Sequence, residues 1–167
     1  MMAAKTEQNL AYAFAAESKA SARNSLFAVK AEQDGFSQIA RLFRAVAEAE
    51  GVHARRYLRL MRGKIGTTEE NLKTAFEKEI KANLEEYPVL IKDAAEDGME
   101  IVKNAFSESR DVEDRHAQLY KKALNDLLSD RTTPYYVCQV CGYVAEDEAP
   151  LRCPVCSAVK EKFKRIE

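Results

Sequence analysis

Charge of one sign is in short supply. Lys and Arg total 26 against 27 Asp and Glu, a net charge of −1 over 167 residues. No basic surplus remains to neutralise a phosphate backbone, which excludes nucleic acid as the main partner. Long apolar runs are missing too. The opening MMAAKTEQNL has no stretch of signal-peptide length, and nothing downstream approaches the roughly 20 apolar residues of a membrane span. A cytoplasmic protein without a membrane partner is the expectation. Proline and glycine are sparse where they would interrupt helices: residues 5–128 hold one proline, Pro88. Aromatics make up only 8%, but 46% hydrophobic and 32% charged residues rule out a disordered chain. They allow one substantial core and at most a small satellite module. In a reducing compartment the four cysteines read as metal ligands rather than disulfides.

The long first part is rich in Ala, Glu, Lys, Leu and Arg, all strong helix formers. Breaks at Asp34-Gly35, Arg62 to Thr68 and Asp97-Gly98 predict four helices over 5–33, 36–62, 69–97 and 99–128, since glycine favours helix ends and Thr before Glu a helix start. The expected fold is an all-α, ferritin-like four-helix bundle over 1–129, then a short polar linker from Ser129 to Pro134 and a small module over 134–167. So short a tail cannot build its own core and needs a staple.

The helical part repeats itself. At an offset of 63 residues Phe43 falls on Phe106, Glu50 on Glu113, His53 on His116 and Gly35 on Gly98; at 62, Glu17 falls on Glu79. Two hairpins of one design are implied. The only two histidines, His53 and His116, each follow a glutamate by three residues, a spacing that puts both side chains on one helix face. Glu17 and Glu79 lie on the apolar stripes of the other two helices, at matching heights from the turns. A Glu from each of two helices plus Glu-x-x-His from the other two is the ligand pattern of carboxylate di-metal bundles. Buried carboxylates at one level would repel each other unless some took up protons, and two cations remove that penalty. Hard oxygen donors with one imidazole per metal suit iron or manganese.

In the tail, Cys138-x-x-Cys141 and Cys153-x-x-Cys156 form a pair of metal knuckles. Four thiolates mean zinc or a single iron, and on spacing alone a purely structural zinc ribbon is no worse a reading than iron. Gly142 and Ser157 allow tight turns whose N–H groups can point at sulfur.

Taken together, Glu17 in AAESKA, Glu50-x-x-His53, Glu79, Tyr87-Pro88, Glu113-x-x-His116 and the knuckles in YVCQVCGY and LRCPVCS resemble the rubrerythrin family. The resemblance implies two Fe ions held by Glu17, Glu50, His53, Glu79, Glu113 and His116, with Tyr87 in support. It implies one Fe in a rubredoxin-like site of Cys138, Cys141, Cys153 and Cys156, with Zn possible there. It also implies NADH-linked peroxidase activity, reducing hydrogen peroxide to water with electrons from an upstream reductase, in cytoplasmic oxidative-stress defence. The expected assembly is a homodimer with one subunit's rubredoxin-like domain near the other's di-iron site, and exchanged helical hairpins are one form of it. Two departures stand out. Ala82 occupies a position where the family usually has a further glutamate, one that exchanges with the second helix's histidine as an iron changes oxidation state; here His53 is expected to stay bound, with water or Glu86 filling the gap. Asn24 stands where the family often has tyrosine. The rival readings are a ferroxidase or O2-reducing di-iron protein and, in a different class, a helical interaction protein with a structural zinc ribbon.

Overall fold

The computed structural model describes residues 3–127 and 132–167. The chain divides into two compact units, one ending at Gly66 and one beginning at Thr67.

The first unit is a hairpin of α1 (Ala4–Gln33) and α2 (Ser37–Leu60). Its seam is built from small residues: Ala28 and Ala31 of α1, and Ala40, Ala47 and Ala54 of α2, are all buried. The α2 alanines recur every seven residues, so they line one face and let the backbones approach closely. Ser21 of α1 uses that closeness, its hydroxyl donating to the Ala47 carbonyl at 2.8 Å. Further along, Phe27 and Phe43 pack edge to face with centroids 5.5 Å apart.

The second unit opens with α3 (Thr68–Lys81), started by a capping box in which Thr67 and Glu70 satisfy each other's backbone N–H. The single helix expected over 69–97 is continuous but not uniform. A π-helical turn, Ala82–Glu86, separates α3 from α4 (Tyr87–Glu96). Pro88 explains its place, because a proline lacks an N–H and its ring crowds the carbonyl four residues back; a wider turn just before it relieves the clash. The π turn also explains the repeat's change of offset. Glu17/Glu79 and Ser21/Asn83 match at 62, whereas Asn24/Tyr87, Ala31/Ala94 and Gly35/Gly98 match at 63, and the extra residue of a π bulge lies between them.

After Gly98 comes α5 (Glu100–Asn125). Gly35 and Gly98 both take positive φ, 82° and 68°, and the following N–H reaches back to the Ala31 or Ala94 carbonyl, so both hairpins turn by one glycine-dependent device. Asn83 donates to the Arg110 carbonyl at 2.8 Å, the repeat's counterpart of the Ser21–Ala47 bond. Ser129 and its neighbours in the expected linker, and the last residue of the expected fourth helix, lie outside the described residues.

The cysteine module is a three-stranded antiparallel sheet in the order β2-β1-β3. β1 is Tyr135–Cys138, β2 Val144–Glu146 and β3 Phe163–Ile166, with Tyr136 facing Ala145 on one side and Arg165 on the other. No helix among the described residues is long and apolar enough to cross a membrane.

Candidate metal centres

Each hairpin gathers one triad of residues that could hold a metal ion. In the first unit Glu17, Glu50 and His53 offer donor atoms all within 4.8 Å of one another, and in the second Glu79, Glu113 and His116 do the same. The two triads are near copies. His53 Nδ1 stands 3.1 Å from Glu50 Oε2 and 3.8 Å from Glu17 Oε1; His116 Nδ1 stands 3.1 Å from Glu113 Oε2 and 3.9 Å from Glu79 Oε1. All six residues named from the sequence are thus brought into two clusters of three, with Nδ1 the ring nitrogen aimed into each.

The carboxylates carry the mark of missing positive charge. Burial, then a hydrogen bond to Glu113 and its charge, push Glu79 up to about 8. Glu17 is also raised, first by its hydrogen bond with Glu50 and then by burial. Like-charged acids packed this closely hold a proton between them unless a cation takes its place. Tyr120, half-buried near Glu79 and Glu113, is likewise raised, first by burial and then by their charges. Tyr87, singled out from the sequence as a supporting residue, points its hydroxyl at Glu113 Oε1, 3.5 Å away, and packs against Phe106.

Glu86 does not join the second triad. A heptad spacing from Glu79 would put the two on one face of a regular helix, but the π turn adds a residue between them and swings Glu86 aside. Its carboxylate instead lies 3.2 Å from Lys81 Nζ, and the side chain is 57% exposed. Ala82, at the start of the π turn, has no donor to offer.

Four sulfurs form the third cluster. Cys138 and Cys156 are 3.7 Å apart and Cys141 and Cys153 3.5 Å. That is far too long for a disulfide and close to the tetrahedral edge of about 3.8 Å implied by metal–sulfur bonds near 2.3 Å. Backbone N–H groups converge on the sulfurs: burial raises the Cys138 thiol, but the N–H groups of Cys141 and Val140 outweigh it and hold the group below its usual range. Cys141 receives Tyr143 N–H and Cys156 receives Ala158 N–H, yet burial dominates and raises both. Gly142 and Ser157 do take left-handed φ, 87° and 60°, and make the turns that aim these donors.

The sequence did not reveal what the histidines' second nitrogens meet. His116 Nε2 lies 3.3 Å from the Gly142 carbonyl, so the residue after Cys141 accepts the ring N–H and fixes the tautomer that leaves Nδ1 free to bind metal. The module therefore lies against α5 of its own chain. Arg115 explains this seat: it donates to the Val144 carbonyl and to Glu146, which Lys122 also holds. An apolar cavity of about 510 Å³, lined by Leu72, Leu119, Tyr120, Val137 and Val144, adjoins His116 on this side.

A triad of two carboxylates and a histidine in each hairpin, and a four-sulfur cluster in the small module, define a helical metal-binding protein with an attached four-cysteine metal domain. Residues 8–124 match the family model described as Rubrerythrin, and 136–164 that described as Rubrerythrin, rubredoxin-like domain. Rubrerythrin of Porphyromonas gingivalis is 32% identical, the alignment covering 98% of this chain and 90% of that one. Nigerythrin of Nitratidesulfovibrio vulgaris is 31% identical over 95% and 85%. Solved nigerythrin structures in mixed-valence and fully reduced, all-ferrous states each match with a TM-score of 0.59 and 30% identity, covering 99% of this chain and 88% or 89% of theirs. The chain belongs to the rubrerythrin family. Proteins of this family are oxidoreductases that bind a di-iron centre and an iron in the rubredoxin-like four-cysteine site, and this chain presents the clusters for both.

Proposed function

We propose that the chain is a cytoplasmic non-haem peroxidase that reduces hydrogen peroxide to two waters, with electrons arriving through the four-cysteine site from an NADH-linked reductase. The observation that carries this reading is the hydrogen bond from His116 to the Gly142 carbonyl, which joins a ligand of the di-metal set to the residue next to Cys141. A module serving only as a structural ribbon has no reason to touch the other centre.

Glu17, Glu50, His53, Glu79, Glu113 and His116 would hold the two bundle irons, and Cys138, Cys141, Cys153 and Cys156 the third. Bound there, iron supplies two electrons to the O–O bond, and two protons complete the two waters. The protein's own part is positional. Gly142 fixes the His116 tautomer, Tyr87 directs its hydroxyl to Glu113, and apolar side chains line the cavity beside His116. Because Ala82 and Glu86 offer nothing to exchange with, His53 stays a ligand in both oxidation states.

The two triads are complementary halves of one ligand set, and the reach of the chain favours a homodimer with exchanged hairpins. α2 stays helical to Leu60 and α3 starts at a capped Thr67, so neither helix unwinds to lengthen the connection. The steps from Leu60 to Thr68 extend about 28 Å at most. A lengthwise return would need to cover about 15 Å of α2 beyond Glu50 and about 17 Å of α3 before Glu79.

Metal analysis with anaerobic reduction, followed by rapid mixing with peroxide or O2, tests the function. Iron in both kinds of site and faster oxidation by peroxide are expected. A faster reaction with O2 would favour an oxygen-reducing protein, and zinc alone, in colourless protein, would overturn the reading. Glu50→Ala or His116→Ala should abolish peroxide turnover while leaving the visible colour of the cysteine-bound iron.

A further inference from the structure

The face of α5 beside His116 carries two cations seven residues apart, Arg115 and Lys122, which two helical turns bring onto one side. Both close on Glu146 of β2. Arg115 Nη2 reaches one carboxylate oxygen at 3.1 Å and Lys122 Nζ the other at 2.7 Å. Arg115 Nε also donates to the Val144 carbonyl at 3.1 Å, and its guanidinium lies 5.9 Å above the Tyr143 ring. The Glu146 side chain is only 14% exposed, the least of any acid in the ion pairs of the described residues. Exposed surface pairs contribute little, but one nearly buried carboxylate shared by two cations and locked to a backbone carbonyl is a different case. Lys122 foremost, and Arg115 with it, hold this carboxyl below its usual range. The segment so clamped, Tyr143 to Glu146, directly follows Gly142. In the repeat, Arg115 corresponds to Val52 of α2, a residue with nothing comparable to hold.

We propose that Glu146 is a positioning residue: bridging Arg115 and Lys122, it seats the Gly142 carbonyl on His116 and thereby sets the electron route from the four-cysteine site into the α5 triad of the same chain. The inference rests on the reading given under Proposed function. With iron bound, the step it serves would be the passage of one electron, given up by a ferrous ion that Cys138, Cys141, Cys153 and Cys156 would hold and taken up by a ferric ion that Glu79, Glu113 and His116 would hold. No bond forms or breaks, and the ring N–H stays on His116. The upstream reductase returns the electron to the cysteine-bound iron.

The full-length chain provides the test in two arms. With zinc in all sites, the His116 ring N–H is followed by NMR. Glu146→Gln, and Lys122→Gln as a second variant, should speed its exchange with water about tenfold, the scale of losing a charge-assisted hydrogen bond, while β1–β3 amides stay protected and Glu146→Asp restores the slow rate. With iron loaded and fully reduced, peroxide should oxidise the bundle irons of Glu146→Gln at the wild-type rate, but oxidation of the cysteine-bound iron should slow about tenfold. Unchanged ring exchange together with oxidation of the cysteine-bound iron within about twofold of wild type would overturn the proposal. Should wild-type iron protein fail to react with peroxide, the peroxidase reading falls, and the zinc arm still decides the seat of Gly142.

Discussion

The triads on α1–α2 and on α3–α5 share their internal distances to within 0.1 Å, with 3.1 Å from histidine to the near glutamate in both and 3.8 or 3.9 Å to the far one. Their surroundings differ. The His53 side chain is 51% exposed and that of His116 25%, and the cysteine module lies against the His116 ring. Only the second has Tyr87 beside a ligand carboxylate, where the first has Asn24. Helix pairing alone, enforced by small residues and by the Ser21–Ala47 and Asn83–Arg110 bonds, is enough to build the ligand geometry. What distinguishes the second half is added from outside its helix pair.

The greatest effect should come from removing the addition. Chelation or Cys153→Ala should unfold the module, since metal binding supplies folding free energy of about 10 kcal/mol or more in small thiolate domains. Amides of β1–β3 would lose hydrogen-exchange protection while far-UV circular dichroism retains the helical signal, and His116 would become as accessible as His53. A smaller effect separates the seams. Ala47→Leu forces bulk into the buried seam of α1 and α2 and should cost about 1–3 kcal/mol in urea unfolding. Its repeat counterpart, Arg110, is 40% exposed, and Arg110→Leu should stay within about 0.5 kcal/mol.

The finest distinction is in proton binding. In metal-free protein the Glu79 carboxyl titrates at about 8 rather than 4.5. Between those values the folded state holds a proton that the unfolded state has released, so stability falls as pH rises through the window. Urea midpoints should decline from the acid to the alkaline end, and Glu79→Gln should flatten the profile. Metal affinity should run the opposite way, rising with pH as the cation displaces that proton.

The six residues that gather into the two clusters were legible because metal chemistry restricts candidates to a few residue types at strict spacings: two histidines in the whole chain, each three residues after a glutamate, and a repeat to pair them. The cysteine knuckles were legible for the same reason. The π turn was present only as a one-residue slip between offsets of 62 and 63, which an unaligned reader absorbs as noise, and Glu86 was misplaced because a heptad count presumes an unbroken helix. The seat of the module was less visible still. Glu146 stands in a run with Asp147 and Glu148, and nothing local distinguishes the acid that meets α5 from the others. The one signal was a mismatch within the repeat, Arg115 against Val52, visible only once the repeat is used to look for differences as well as likenesses.

The π turn has a consequence for how the second triad can be altered. Glu79 lies before it and Tyr87 after it, and the turn absorbs the extra residue, so Tyr87 corresponds in the repeat to Asn24, seven residues after Glu17 on unbroken α1. Deleting one residue from Ala82–Glu86 would close the turn to regular helix and leave the tyrosine seven residues after Glu79, about two turns on and on the same face. The bulge is thus a slot where the rod can change length by one codon without losing the phase between acid and phenol.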